Sequence, residues 1–116
     1  MATILVVEDD PGIRDLLVEL LPLEGHVVRL AVDGLDALTE VAREPPDLIL
    51  SDLMMPRLDG ISLRTLLIRD GHRVRLVFMS ANPRLVTGLG VPIVAKPFDV
   101  PDLFATLAAA LVADVG

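Results

Sequence analysis

Residues 47–60 read DLILSDLMMPRLDG, and the fold class turns on this stretch. Positions 47–51 are almost continuously apolar, which marks a strand covered on both faces, as in a parallel sheet enclosed by helices. The run stops at Asp52. The MPRLDG that follows is a turn, with Asp59 and Gly60 opening a helix that carries Leu63, Leu66 and Leu67 and ends near Gly71.

The same alternation extends to both ends of the chain. TILVV at 3–7 is a β-branched strand stopped by Glu8, Asp9 and Asp10. Ile13, Leu16, Leu17, Leu20 and Leu21 then recur at helical spacing, with Pro11 suited to a first turn and Gly25 ending the helix. A second strand at 27–31 precedes a helix on Leu35, Leu38, Val41 and Ala42, closed by Pro45 and Pro46. A fourth strand at 74–79, a short fifth at 92–95 and an Ala/Leu-rich helix at 100–112 complete the pattern. Strands alternating with helices give a parallel sheet with helices on both faces. One connection departs from this. The segment 81–91, ANPRLVTGLGV, holds 11 residues, with Pro83, Gly88 and Gly90 among them. A parallel crossover needs about a dozen or more, so the fourth helix is predicted to be short or missing.

Bulk properties narrow the function classes. A chain of 116 residues fits one domain, 1–116. Three Phe with no Trp or Tyr leave the core to aliphatic residues. A net charge of −7 argues against direct nucleic-acid binding and against an anionic membrane surface. The absence of cysteine removes disulfides, thiolate metal sites and a Cys nucleophile. With no basic leader and no apolar run of ~18 residues, a cytoplasmic location is the expectation.

In an open parallel sheet, ligands bind outside the carboxyl ends of the strands. Here those ends bring Glu8, Asp9 and Asp10 after strand one, Asp52 after strand three, Ser80 after strand four and Lys96 after strand five. Two unit charges ~4 Å apart cost about 4 kcal/mol at an effective dielectric near 20. One lysine cannot offset three such carboxylate pairs, whereas a hard divalent cation can, and Mg²⁺ suits a few carboxylates plus water and a phosphate oxygen. Asp52 could then act as a carboxylate nucleophile on a phosphoryl donor, with Lys96 and Ser80 facing the transferring oxygens.

ILVVEDD after the first strand, SDLMMPRLDG around the third, MSA after the fourth and AKPF after the fifth together resemble the response-regulator receiver family. The resemblance spans the chain with its motifs in order. It implies a flavodoxin-like doubly wound α/β fold with five parallel strands in the order 2-1-3-4-5, here with helix 4 shortened or absent. It implies Asp52 as phospho-acceptor, Asp9 as direct Mg²⁺ ligand with Asp52 and the Met54 backbone carbonyl, and Glu8 as an acid acting through water. Ser80 matches the switch hydroxyl and Lys96 the phosphate-pairing lysine, with Pro97 after a cis peptide bond. A sensor histidine kinase or phosphotransfer protein is the implied donor, and an unspecified protein the target. No output domain is legible within the 116 residues, so the chain is read as a stand-alone receiver or a piece of a longer regulator.

Other residues receive plainer readings. Asp10 before Pro11 is read as a helix N-cap, with a direct role at the metal as the alternative. His26 and His72 are read as solvent residues, and Arg69, Arg73 and Arg75 as a solvated loop. The leading reading is a phosphorylation-switched module, and two departures from the family pattern keep a rival open, a phosphorylation-independent interaction module on the same fold. Ile93 stands where receivers usually carry an aromatic, three residues before the lysine, and the 81–91 connection is short. A haloacid-dehalogenase-like phosphohydrolase would need an acid two residues after Asp52, and Met54 is there. The chain is therefore expected not to be a turnover enzyme.

Overall fold

The computed structural model describes residues 2–85 and 88–113. Five strands form one parallel sheet: β1 (Thr3–Val7), β2 (Val27–Ala31), β3 (Leu48–Asp52), β4 (Arg75–Ser80) and β5 (Ile93–Ala95), in spatial order β2-β1-β3-β4-β5. Four helices are present among the described residues: α1 (Pro11–Leu20), α2 (Gly34–Arg43), α3 (Gly60–Arg69) and α4 (Val100–Val112). This is the flavodoxin-like receiver fold read from the sequence.

Alternation along the strands divides the core into two layers. Ile4 and Val6 of β1, with Leu48 and Leu50 of β3, pack with Leu17 of α1 and with Leu103 and Leu107 of α4. Leu5 and Val7, with Ile49, face the opposite way onto Ala37 and Val41 of α2 and Leu63 and Leu67 of α3. All five residues of β3 are buried, as a central strand covered on both faces requires.

Each helix begins on an aspartate whose side chain accepts a backbone N–H. Asp10 accepts from Gly12, Asp33 from Asp36, Asp59 from Ser62 and Asp99 from Asp102. These contacts satisfy donors that the helix itself leaves unpaired. After α1 the chain tightens into a 3₁₀ turn, Leu21–Glu24, because Pro22 has no N–H to continue the ladder. Gly25, at φ 83°, closes that turn.

Strands three and four run one residue later than the periodicity suggested. Asp47 lies just before the ladder, where its N–H donates to the Thr3 carbonyl at 2.9 Å and its carboxylate accepts the Thr3 N–H at 2.7 Å. At the other ends, Asp52 pairs with Met79 and Ser80 with Ala95. Asp52 and Ser80 are thus the last residues of β3 and β4, held by the sheet and not by the loops after it. The short connection also stands. Its described part contains one 3₁₀ turn, Pro83–Leu85, while Val86 and Thr87 of the expected segment lie outside the described residues.

Gly60 marks the tightest approach of a helix to the sheet. A Cβ there would lie 2.7 Å from the Asp52 carbonyl oxygen and 3.0 Å from the Phe78 ring. Alanine normally favours a helix over glycine by about 1 kcal/mol, but here neither the backbone nor a fully buried ring can give way cheaply. Gly60→Ala should therefore lower stability by about 1–3 kcal/mol, read as a lower urea midpoint with an unchanged slope.

Candidate functional site

β1, β3 and β5 deliver three charged side chains to one point at the carboxyl end of the sheet. Glu8 continues the line of β1, its N–H donating to the Ala31 carbonyl, and its side chain is 1% exposed. Asp52 ends β3 and is buried. Lys96 follows β5, its backbone N–H donating to the Ser80 carbonyl at 2.9 Å. Lys96 Nζ donates to Glu8 Oε2 at 2.8 Å and lies 3.1 Å from Asp52 Oδ2. The peptide bond between Lys96 and Pro97 is cis.

Asp9, exposed, completes the cluster: oxygens of Glu8, Asp9 and Asp52 all lie within 4.8 Å of one another. Three carboxylates facing one ammonium leave an excess of negative charge at a partly open rim. The donor set is all oxygen and fits a hard divalent cation such as Mg²⁺. Ser80 is buried on the same rim, where its Oγ accepts the Asn82 N–H at 3.0 Å. Met54 is on the turn after β3 with its side chain 80% exposed. Asp10 stays out of the cluster as the α1 cap, its own N–H donating to Glu8 Oε1 at 3.2 Å.

Burial raises the Glu8 pKa above its ordinary value. The hydrogen bond from Lys96 opposes this and the nearby Asp52 charge adds to it. For Lys96, burial acts to lower the pKa, but the hydrogen bonds and charges of Glu8 and Asp52 outweigh it and the net shift is upward. The ammonium is therefore locked in its charged form by two carboxylates.

Two arginines that sequence reasoning passed over support the rim. Arg14 Nη1 donates to the carbonyls of Glu8 and Asp9, both at 3.0 Å, tying down the turn that carries the acid pair. Its place one turn into α1 was a usable signal, since helical side chains lean back toward the N-terminus. Arg57 adopts a left-handed backbone, φ 68°, in the turn after β3. Its Nε donates to Asp33 Oδ2 at 2.8 Å, joining that turn to the α2 cap. Asp33 is held below its ordinary pKa, first by the Asp36 N–H and then by Arg57. The left-handed arginine could not be anticipated, because nothing in MPRLDG marks position 57 for positive φ.

The plainer readings fare unevenly. His26 and His72 are half-buried, not solvent residues, and the Nδ1 of His26 is buried without a hydrogen-bond partner among the described residues. Arg75 is the first residue of β4 and half-buried, not part of a loop, and its Nε donates to the Ala113 carbonyl. The predicted strand at 74–79 already contained Arg75, so its pairing follows the strand reading and overturns the loop reading.

Glu8 and Lys96 should prove energetically coupled. Lys96→Met leaves a buried carboxylate without its donor and should cost about 1–3 kcal/mol in metal-free buffer. Glu8→Gln/Lys96→Met should recover part of that loss. A raised carboxylate pKa also means that the native state holds a proton the unfolded chain has released. Stability from this group therefore falls as pH rises above 4.5. That fall should steepen in Lys96→Met, measured as urea midpoints between about pH 5 and about pH 8.

The chain is similar over most of its length to known proteins. It is 37% identical over 114 residues to the response regulator MprA of Mycobacterium leprae, covering 93% of this chain and 50% of that protein. MprA of Mycobacterium ulcerans is 36% identical over the same length, with 49% of it covered; the chain thus spans about half the length of these relatives. Among solved structures, the receiver domain of NtrX from Brucella abortus superposes with a TM-score of 0.86 at 30% identity, over 96% of this chain and 99% of that one. The receiver domain of a Francisella response regulator does so at 0.83 and 26%, over 96% and 97%. The family model for the response regulator receiver domain matches residues 4–108, and the chain belongs to that family, the receiver domain of two-component response regulators.

Proposed function

We propose that the chain accepts a phosphoryl group on Asp52 from a phosphohistidine of a sensor kinase or phosphotransfer protein and passes the signal on by protein contact. The observation that carries this reading is the meeting of Glu8, Asp9 and Asp52 on Lys96 at the open end of the sheet. Mg²⁺, held by Asp9, Asp52 and the Met54 carbonyl with Glu8 through water, would supply neutralisation of charge on the transferring oxygens.

This chain's own residues do the rest. An Asp52 carboxylate oxygen forms a bond to phosphorus while the donor's P–N bond breaks and its electron pair returns to the imidazole. Lys96, fixed as a cation, pairs with a phosphoryl oxygen, and the Ser80 hydroxyl donates to another. Ser80 ends a buried strand, so its hydroxyl needs little reorganisation to meet the new group. The domain promotes its own phosphorylation and slow hydrolysis and is not a turnover enzyme. Its setting is cytoplasmic: no helix among the described residues is long and apolar enough to cross a membrane, and a phosphohistidine donor is a cytosolic partner.

The rival reading, an interaction module that works without phosphorylation, draws on the half-buried Ile93 at the start of β5 and on the single 3₁₀ turn before it. The two are separated by incubation with acetyl phosphate and Mg²⁺. Intact-mass spectrometry should show the gain of one phosphoryl group, absent in Asp52→Ala and after chelation of the metal. Asp9→Asn should weaken Mg²⁺ binding by ~10-fold or more, at least the scale of losing an outer-shell partner. No mass gain in the unaltered chain, or a gain that persists in Asp52→Ala, would leave the rival standing.

A further inference from the structure

A second feature occupies the opposite end of the sheet. There a groove of about 660 Å³ opens beside the start of β4. One wall is a stripe of α3, Arg64, Leu67 and Ile68, spaced as residues that meet a neighbouring helix and continued by Gly71 just past the helix end. The floor includes Val74 and Leu76, both only half-buried, and Ile68 is 61% exposed. β5 pairs with Phe78, Met79 and Ser80 alone, so the first half of β4 has no strand on its outer side among the described residues. In a doubly wound sheet this layer position is filled by the crossover helix between the last two strands, and here the described part of that crossover is one 3₁₀ turn.

Charge sets the groove apart from the rest of the chain. Its edge carries Arg73 and Arg75 as well as Arg64. Among the described residues, three of the ten basic residues and none of the seventeen acids line the groove. A chain of net charge −7 thus concentrates cations around one apolar groove.

We propose that this groove docks an acidic amphipathic helix of a partner protein, which takes the layer position left open by the short connection. Apolar side chains of that helix would pack on Leu67, Ile68 and Leu76, and its carboxylates would face Arg64 and Arg73. A nucleic acid is the poorer fit, because the floor is aliphatic and the stacking aromatics of such sites are missing. The inference goes beyond phosphoryl transfer: the groove is built into the unphosphorylated chain, about a strand's length from Asp52.

The test uses the isotope-labelled chain, unphosphorylated, titrated with a synthetic helical peptide bearing Leu on one face and Glu on the other. Saturable amide shifts should centre on Arg64, Ile68 and Leu76, and affinity should fall as salt is raised. Arg64→Glu/Arg73→Glu should weaken binding by ~10-fold or more, and so should Ile68→Asp, a change at an exposed position. Circular dichroism establishes that both variants remain folded. Equal binding of the same peptide with Lys in place of Glu would overturn the proposal. So would unchanged affinity in the folded variants, shifts centred elsewhere, or self-association of the chain through this face in place of peptide binding. Because no phosphoryl group is involved, these outcomes are independent of the acetyl phosphate experiment.

Discussion

Glu8 and Asp52, two buried carboxylates at the carboxyl ends of neighbouring strands, share one ammonium, and much else in the molecule follows from that contact. Like charges this close need a compensating cation, and Lys96 supplies one from the far edge of the sheet. To reach them it must stand at the end of β5, and β5 must lie against β4, which in turn lies against β3. The order of the strands is thus the order in which the charges can meet. Even with Lys96 in place, the addition of Asp9 leaves the rim with more negative charge than it can neutralise alone. That surplus is the charge pattern on which the proposed binding of a divalent cation and an incoming phosphoryl group rests.

The supporting contacts keep this arrangement rigid where it matters. Asp52 and Ser80 are locked in the sheet ladder as its last paired residues. Arg14 holds the two carbonyls of the acid pair, and Arg57 joins the turn after β3 to the start of α2. Gly60 lets α3 come within contact of the Asp52 carbonyl, where any side chain would intrude. The opposite end of the sheet is built loosely by comparison, with a half-covered strand, a short β5 and a groove ringed by arginines. Input chemistry and a candidate contact surface therefore sit at the two ends of β4.

Much of this was legible in the sequence because the strands are short, apolar and punctuated. The buried run before Asp52 identified a two-sided sheet, and the acids, Ser80 and Lys96 lay where strand ends had to be. The capping roles of Asp10 and Asp59 followed from their neighbours Pro11 and Gly60. Less legible were features that depend on long side chains crossing between loops. Arg14 and Arg57 look like ordinary surface arginines until the turns they bridge are placed. The half-burial of His26 and His72 was hidden for a related reason: whether a turn residue is solvent or wall depends on what packs over it. The groove needed the fold itself, since it exists only where a missing helix leaves α3 and β4 uncovered.

The central claim is that Asp52 is the residue that takes the phosphoryl group, and the most direct measurement is chemical trapping of the acyl phosphate. An aspartyl phosphate is reduced by borohydride to homoserine, whereas an unmodified carboxylate is not. After incubation with acetyl phosphate and Mg²⁺, reduction and peptide sequencing should find homoserine at position 52 and nowhere else. Its appearance at another acid, or at none while phosphate remains bound to the chain, would contradict the account.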